Sequence, residues 1–509
     1  MFESRWGGQN PFSGGNPFSG GNPFGVSNAG VKHKRNPIYE LSDVKLVKIE
    51  DIPPAIVRKA DFSTIVDPNF VGKLVIVYEK DNIGKSGGQP QWCKVYDCNK
   101  GEVIYRGTAI HKCVDLDCTE QNYNEKLFSV YGKLVFDQDK VRVPEVDLIK
   151  NIGYEEKRPA VLSYNVTRRE ENSEKDIEEM YLMKTIVFNK LERREIKDNR
   201  TRLDVILDTV KMQVMKKVGY EKTKVKEDIL DKIVSLQVSV ALNEPNSDLY
   251  QQQIDLLTAV NKKIDTIGTN TNFEDFLAEV SKDLGRKVTS DEISGIDIQG
   301  SKIKDLVKGI KDIAIEKEKN YKQLEKDIIQ VTVFDLMTNN IDRHLTNWAL
   351  IRNKRTDEYN LGIFDHAAAF FNMGLKNDNI AISDDYLAAN WASSSVILDS
   401  PIDKKIVSSK GIDVFRYLME NYRDYTVEML QKMYDTLPEF KRQIGFESIP
   451  NAEYAKLSDE EKKQYYSNDV EIEVSPPKVE KGLKSKFSRI TREYGINFKS
   501  EKVKTRDDD

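Results

Sequence analysis

The chain has 509 residues, 39% of them hydrophobic, enough for about two to four domains with sizeable cores. Its 78 basic and 83 acidic residues nearly balance, which excludes a global nucleic-acid-binding charge pattern. No apolar run approaches the ~18 residues a bilayer span needs and the N-terminus lacks a signal-peptide core, so no membrane span and a cytoplasmic location are expected.

Residues 1–35 read as a disordered tail, because their Gly, Ser, Asn and Pro cannot bury a core. Asn-Pro-Phe recurs at 10–12, 16–18 and 22–24. The tripeptide resembles the ligand of eukaryotic EH domains, and several copies would raise avidity for such a partner; repeat slippage is the plainer origin. Lys32-His33-Lys34-Arg35 leads into folded sequence. Gly84-Lys85-Ser86-Gly87-Gly88-Gln89-Pro90-Gln91 is a glycine-rich loop whose backbone N–H groups could approach a phosphate, although a turn between strands has the same composition. Extended sequence from Glu102 to Val114 follows, then a helix beginning near Asn124 and strands around Val143–Leu148 and Ala160–Tyr164. All four cysteines fall in the pattern Cys93-x₄-Cys98-x₁₄-Cys113-x₄-Cys118. Two thiol pairs suit zinc, yet a turn at Asn99–Gly101 would set Cys93 opposite a residue near Thr108, short of Cys113. Buried reduced thiols, in keeping with a reducing compartment, are therefore expected.

Residues 169–315 read as helical. Pro245 is the only proline between Pro159 and Pro401, and two apolar stripes (Ile229, Ile233, Leu236, Val240 and Leu257, Val260, Ile264, Ile267) flank a loop at 243–248. A helix from Tyr321 to Met337 then ends at Asn339-Asn340. Next come Asn340-Ile341-Asp342-Arg343-His344-Leu345-Thr346-Asn347, a strand at Trp348–Arg352, a turn at 353–360, and a strand at Leu361–Phe364 ending on Asp365. A short loop after a helix can aim the Asp342 carboxylate at an acceptor hydroxyl while the Asn347 amide oxygen reaches a metal; Asp365 closes that site from the next strand. Hard oxygen donors of this kind suit Mg²⁺ beside nucleotide phosphates. A helix at 414–433 follows, and residues 446–509 read as a polar to basic tail. Its residues 478–506 hold seven Lys and three Arg against three Glu, interleaved with Phe487, Tyr494 and Phe498, which offers a surface to an anionic partner or is simply solvated.

Asn-x-Asp-Arg-His-x-x-Asn followed by a strand-borne Asp resembles the HipA-like serine/threonine kinases. The resemblance covers residues 75–170 and 320–440. It implies an α+β, two-lobed protein-kinase-like fold with a mostly helical middle and flexible tails: a β-rich ATP-binding lobe at 36–168, a helical segment at 169–315, and a catalytic lobe at 316–445. It implies ATP and Mg²⁺ as cofactors and a protein Ser or Thr hydroxyl as acceptor. Asp342, Asn347 and Asp365 would be catalytic, with Asn347 and Asp365 on the metal. Gly84, Ser86, Gly87, Gly88 and Gln89 would hold phosphates with Lys112, and Glu125 would pair with Lys112. Lys94 is the rival lysine, and Ser86 a candidate internal acceptor. His344 would pack and orient the loop. Asp365 is followed by His366-Ala367 where protein kinases have Phe-Gly. Phosphoinositide kinases share Asp-Arg-His-x-x-Asn, so a lipid or small-molecule acceptor stays open, as does a catalytically silent scaffold.

Overall fold

The computed structural model describes residues 31–34, 39, 41–47, 70–78, 91–98, 103–112, 119–150, 159–167, 177–186, 202–340, 343, 345–370, 411–445, 447–462, 465–466 and 476–498. Gly84, Ser86, Gly87, Gly88, Gln89, Asp342, His344, Cys113, Cys118 and the Asn-Pro-Phe repeats lie outside the described residues. The chain divides into two units, one made of 1–36 with 446–471 and the other of 37–445 with 472–509.

In the first unit, β1 (Val31–Lys34) pairs antiparallel with two strands from residues 447–450 and 465–466. The second unit begins with β2 (Val44–Val47), β3 (Leu74–Tyr78), β4 (Gln91–Asp97) and β5 (Ile104–Lys112). Helix α1 (Thr119–Val135), the two-residue β6 (Val141–Arg142), β7 (Val146–Lys150) and β8 (Pro159–Tyr164) follow. One six-stranded sheet has the order β2-β3-β4-β5-β8-β7, antiparallel except for β2 beside β3. Its β-branched and aliphatic faces bury Leu74, Ile76, Val95, Ile149 and Leu162, and α1 covers one side. Register slips by one residue between Val95 and Tyr96. Gly107 takes up that bulge at φ +133°, a backbone angle side chains rarely adopt. Cys93 stands opposite Ala109, one residue from the expected partner, and its thiol donates to Ala109 O (3.4 Å). Cys93 and Cys98 are buried thiols, and burial, helped by Asp97, pushes the Cys98 thiol up to about 11.

A strand β9 (Glu178–Leu182) precedes α2 (Arg202–Val214), α3 (Lys216–Ala241), α4 (Ser247–Lys263), α5 (Phe273–Leu284) and α6 (Ser290–Ser294). Both expected stripes lie inward here: Ile229, Ile233, Leu236, Leu257, Val260, Ile264 and Ile267 are buried in one apolar core. Asn272 and Thr289 cap α5 and α6 by accepting the N–H of Asp275 and Glu292. After a two-strand hairpin, β10 (Asp297–Ile298) and β11 (Ser301–Lys302), comes α7 (Ile303–Thr338). The sequence predicts this helix only from Tyr321. It begins at Ile303 because Ile303, Val307, Ile310 and Ala314 continue the apolar face into the helical core.

Beyond α7, β12 (Trp348–Asn353) and β13 (Tyr359–Ile363) form the expected hairpin, in a second sheet of order β6-β13-β12-β9. Asn320 ties α7 to that hairpin, its amide donating to Tyr359 O (2.8 Å) and accepting from Tyr359 N (3.0 Å). A Cβ at 362 would meet Ile351 Cδ1 at 2.8 Å and Val166 Cγ2 at 3.0 Å, so a larger residue there would push those side-chain ends aside. Helices α8 (Gly411–Asn421), α9 (Arg423–Ile444) and α10 (Pro476–Tyr494) complete the unit.

Residues 476–494, expected as part of a solvated tail, are therefore helical, with Val479, Leu483, Phe487 and Ile490 buried. Phe487 and Phe498 pack with Tyr434 of α9 at ring separations of 5.3 and 5.1 Å. Tyr494 meets Phe415 of α8 at 5.0 Å. Phe487, Tyr494 and Phe498 thus all take part in packing within this unit. Among the described residues, no helix is long and apolar enough to cross a membrane.

Candidate active site

Three distant pieces of sequence converge at Lys112, the last residue of β5. Its Nζ donates to Glu125 Oε1 (3.1 Å) and Oε2 (3.0 Å) on α1, and to Asp365 Oδ1 (2.7 Å) just after β13. The Glu125 side chain is fully buried, that of Lys112 is 14% exposed and that of Asp365 42% exposed, so the cluster opens outward at Asp365. Burial opposes the Lys112 charge, but Glu125 and Asp365 outweigh it and raise the lysine pKa above its ordinary value. Burial in turn lifts the Glu125 pKa against the pull of Lys112. Nζ lies against both Glu125 oxygens, the geometry of an ammonium held by a carboxylate. The rival Lys94 sits mid-strand in β4, opposite Val77 and Thr108.

Asp365 has φ +58°. Aspartate tolerates this left-handed conformation better than most residues, and such backbone persists only where its surroundings hold it. Arg343 does the holding. It has no exposed side-chain surface, nor does its partner Asp335 on α7. Nε donates to Asp335 Oδ2 (2.9 Å) and Nη2 to Asp335 Oδ1 (3.1 Å). Nη1 donates to the carbonyls of Asn347 (2.7 Å) and Phe364 (3.0 Å). Nη2 also donates to His366 Nδ1 (3.0 Å), which leaves the imidazole proton on Nε2. One guanidinium thus holds the backbone at Asn347 and Phe364 and the side chain of His366, on either side of Asp365. The Phe364 N–H closes the join by donating to Asn347 O (3.0 Å).

His366 stands where the sequence departs from Phe-Gly. It is buried and stacks on Phe128 of α1, with centroids 3.8 Å apart. Burial, then the charges of Arg343 and Lys112, drives its pKa well below the usual histidine value, so it is a neutral packing group. Asn340 Nδ2 donates to Asp335 Oδ1 (2.7 Å), fastening the loop's first residue to α7. At the same helix end, Lys486 of α10 donates to Leu336 O and Met337 O (2.8 Å each) and to Asn339 Oδ1 (2.5 Å).

Of the residues singled out in the sequence, the fold brings Lys112, Glu125 and Asp365 into contact and buries Asn347 beside them in the chain segment that Arg343 clamps. The glycine-rich loop residues and Asp342 fall outside the described residues, although β3 and β4, which flank that loop, are hydrogen-bonded neighbours. Sequence reasoning gave no role to Asp335, Arg343, His366 or Lys486. A signal existed for Asp335, a carboxylate among apolar residues at helical spacing. Lys486 is also flagged by spacing, since Val479, Leu483, Lys486 and Ile490 share one helical face.

No protein-family model matches the chain, and no curated protein sequence matches it. Among solved structures, it is similar to a crystal structure of a proinflammatory kinase of Helicobacter pylori, CtkA, with a TM-score of 0.34 and 12% identity over 85% of this chain and 94% of that one. At that level the likeness carries no weight, and the functional assignment rests on the geometry of the site.

Proposed function

We propose that the chain is an ATP- and Mg²⁺-dependent phosphotransferase whose acceptor is a Ser or Thr hydroxyl of a protein. The observation that carries this reading is Lys112 Nζ, 3.0 Å from Glu125 and 2.7 Å from Asp365. A lysine braced by a buried carboxylate and directed toward an exposed one is the arrangement that phosphate binding beside a metal requires. In this reading the six-stranded sheet and α1 form the nucleotide lobe, and the end of α7 with the β12–β13 hairpin forms the catalytic lobe.

The donor set fits Mg²⁺, because Asp365 and Asn347 offer hard oxygens on segments fixed by one arginine, and substrate phosphates and water complete such sites. Mg²⁺ bound there would neutralise charge on the phosphates. Lys112 would orient the phosphates, with Glu125 keeping its ammonium in place. Asp342 would accept a hydrogen bond from the acceptor hydroxyl and take its proton as that oxygen bonds to the γ-phosphorus and the bond from phosphorus to the β–γ bridging oxygen breaks, releasing ADP. Arg343 and Asp335 act at one remove, by holding Asn347 and Asp365. Gly84, Ser86, Gly87, Gly88 and Gln89 are proposed as the phosphate loop on the β3–β4 connection. The Asn-Pro-Phe repeats are a proposed ligand for a separate partner domain.

Transfer of radiolabelled γ-phosphate by purified protein tests the reading. Wild type should label itself or an added protein acceptor in Mg²⁺, and Asp365→Asn should lower the rate by at least ~10²-fold with little change in melting temperature. Equal labelling by both forms would sink the assignment.

A further inference from the structure

We propose that Lys486 is a positioning residue for phosphoryl transfer, clamping from the C-terminal helix the point at which the catalytic loop leaves α7. The inference rests on the proposed function for its catalytic consequence, but the clamp itself stands on the geometry of the helix end.

An α-helix leaves its last four carbonyls without helical partners. In α7 each of the four is accounted for. Asp335 O accepts the N–H of Asn339 and of Asn340 (2.9 Å for the latter), and Thr338 O accepts the N–H of Phe370 (2.6 Å). The remaining two, on Leu336 and Met337, are both taken by Lys486 Nζ at 2.8 Å. Its third donor goes to Asn339 Oδ1 at 2.5 Å, at the residue whose left-handed backbone (φ +51°) turns the chain out of the helix. Lys486 is 2% exposed. A buried ammonium is tolerable only when its protons are matched, and here three acceptors lie at the negative end of a long helix.

The contact acts over a short stretch of chain. Asn339 is followed by Asn340, fastened to Asp335, and two residues later by Asp342, the proposed base. Lys486 thus holds the chain at Asn339, before Asp342, and Arg343 is itself held just after it. Phe487 and Phe498, packed on Tyr434, hold α10 where Lys486 can reach. A displacement of about 1 Å at a reacting group can lower a rate by ~10²-fold, so a loosened anchor should appear in kcat before nucleotide binding.

The test compares Lys486→Met, Lys486→Arg and the core variant Val280→Ala with wild type by two readouts. One is kcat and KM for ATP in phosphoryl transfer; the other is amide hydrogen exchange across residues 336–347. Lys486→Met should lower kcat by roughly 10–10²-fold, keep KM within about threefold and speed exchange in that segment. Lys486→Arg should recover part of kcat, and Val280→Ala, in the helical core on α5 and away from the clamp, should lower the melting temperature while sparing kcat. Should the Met variant not fold, Lys486→Gln is read in its place. An unchanged kcat in an active enzyme overturns the proposal, as does a kcat loss that Val280→Ala reproduces at equal loss of melting temperature. If wild type transfers no phosphate yet Lys486→Met still speeds exchange at 336–347, the proposed function has failed and the clamp stands. Without that faster exchange both have failed.

Discussion

The two ends of α7 follow different rules. From Ile303 to Leu324 the buried positions are Ile303, Val307, Ile310, Ala314, Lys317, Tyr321 and Leu324, a single stripe on an otherwise wet helix. From Asp327 to Thr338 every residue is buried. The first part belongs to an apolar helical core that needs only size and spacing to be right. The second places polar groups inside the protein, where leaving one unmatched is costly. Thr332 and Thr338 are matched locally, donating to the carbonyls of Ile328 (2.9 Å) and Phe334 (2.8 Å). Asp335 has no such local outlet, and it is the residue that holds Arg343 and Asn340. Where a helix is buried on all sides, its charged residues mark what the fold is organised around.

The sharpest way to break that contrast is Asp335→Ala. It leaves a fully buried guanidinium without its carboxylate, which should cost about 3–5 kcal/mol in denaturant unfolding and lower phosphoryl transfer as well. A loss under about 1 kcal/mol would mean that Arg343 is not organised by Asp335.

Asp327, one helical stretch earlier, gives a smaller effect of opposite sign. It is 3% exposed, and burial pushes it up to about 6, against help from Gln323 and nearby lysines. A carboxyl whose pKa is raised on folding adds stability below its unfolded pKa of 3.8 and loses it as pH rises through about 6. Asp327→Asn should therefore match wild type near pH 4 and exceed it by about 1–3 kcal/mol at pH 8. Thermal melts at the two pH values decide; a variant less stable at pH 8 would show that the ionised carboxylate is well served.

The smallest effect belongs to the helical core's outer face. Val234 of α3 is 57% exposed, and Val234→Ser should shift stability by no more than about 0.5 kcal/mol, leaving phosphoryl transfer unchanged. A larger loss on unfolding would show that this face is covered in solution.

Much of the scaffold was legible in the sequence because periodicity reports burial. The stripes at Ile229–Leu236 and Leu257–Ile267, the hairpin ending on Asp365 and the strand ending on Lys112 all lie within a few residues of expectation. The pairing of Lys112 with Glu125 came from family resemblance, and the geometry now gives it distances. What stayed hidden depends on contacts between residues far apart in sequence. Lys486 lies in a run of lysines that composition assigns to solvent; its spacing with Val479, Leu483 and Ile490 points inward, but its partners at the end of α7 lie about 150 residues away. His366 looked like a departure from a motif until its stack on Phe128 gave it a packing role. The early start of α7 was missed because its first turns belong to the helical core and not to the loop it later supplies.

The central claim is that Lys112, Glu125 and Asp365 form a phosphate and metal site for which Asp342 acts on the acceptor. The most direct test is Mg²⁺-dependent transfer of labelled γ-phosphate by wild type, Asp342→Ala and Asp365→Asn side by side. The account predicts label with wild type in Mg²⁺, none with chelator, and at least ~10²-fold less with either variant while both remain folded. Folded wild type that transfers no label to itself or to protein acceptors, or variants that transfer as well as it does, would contradict it.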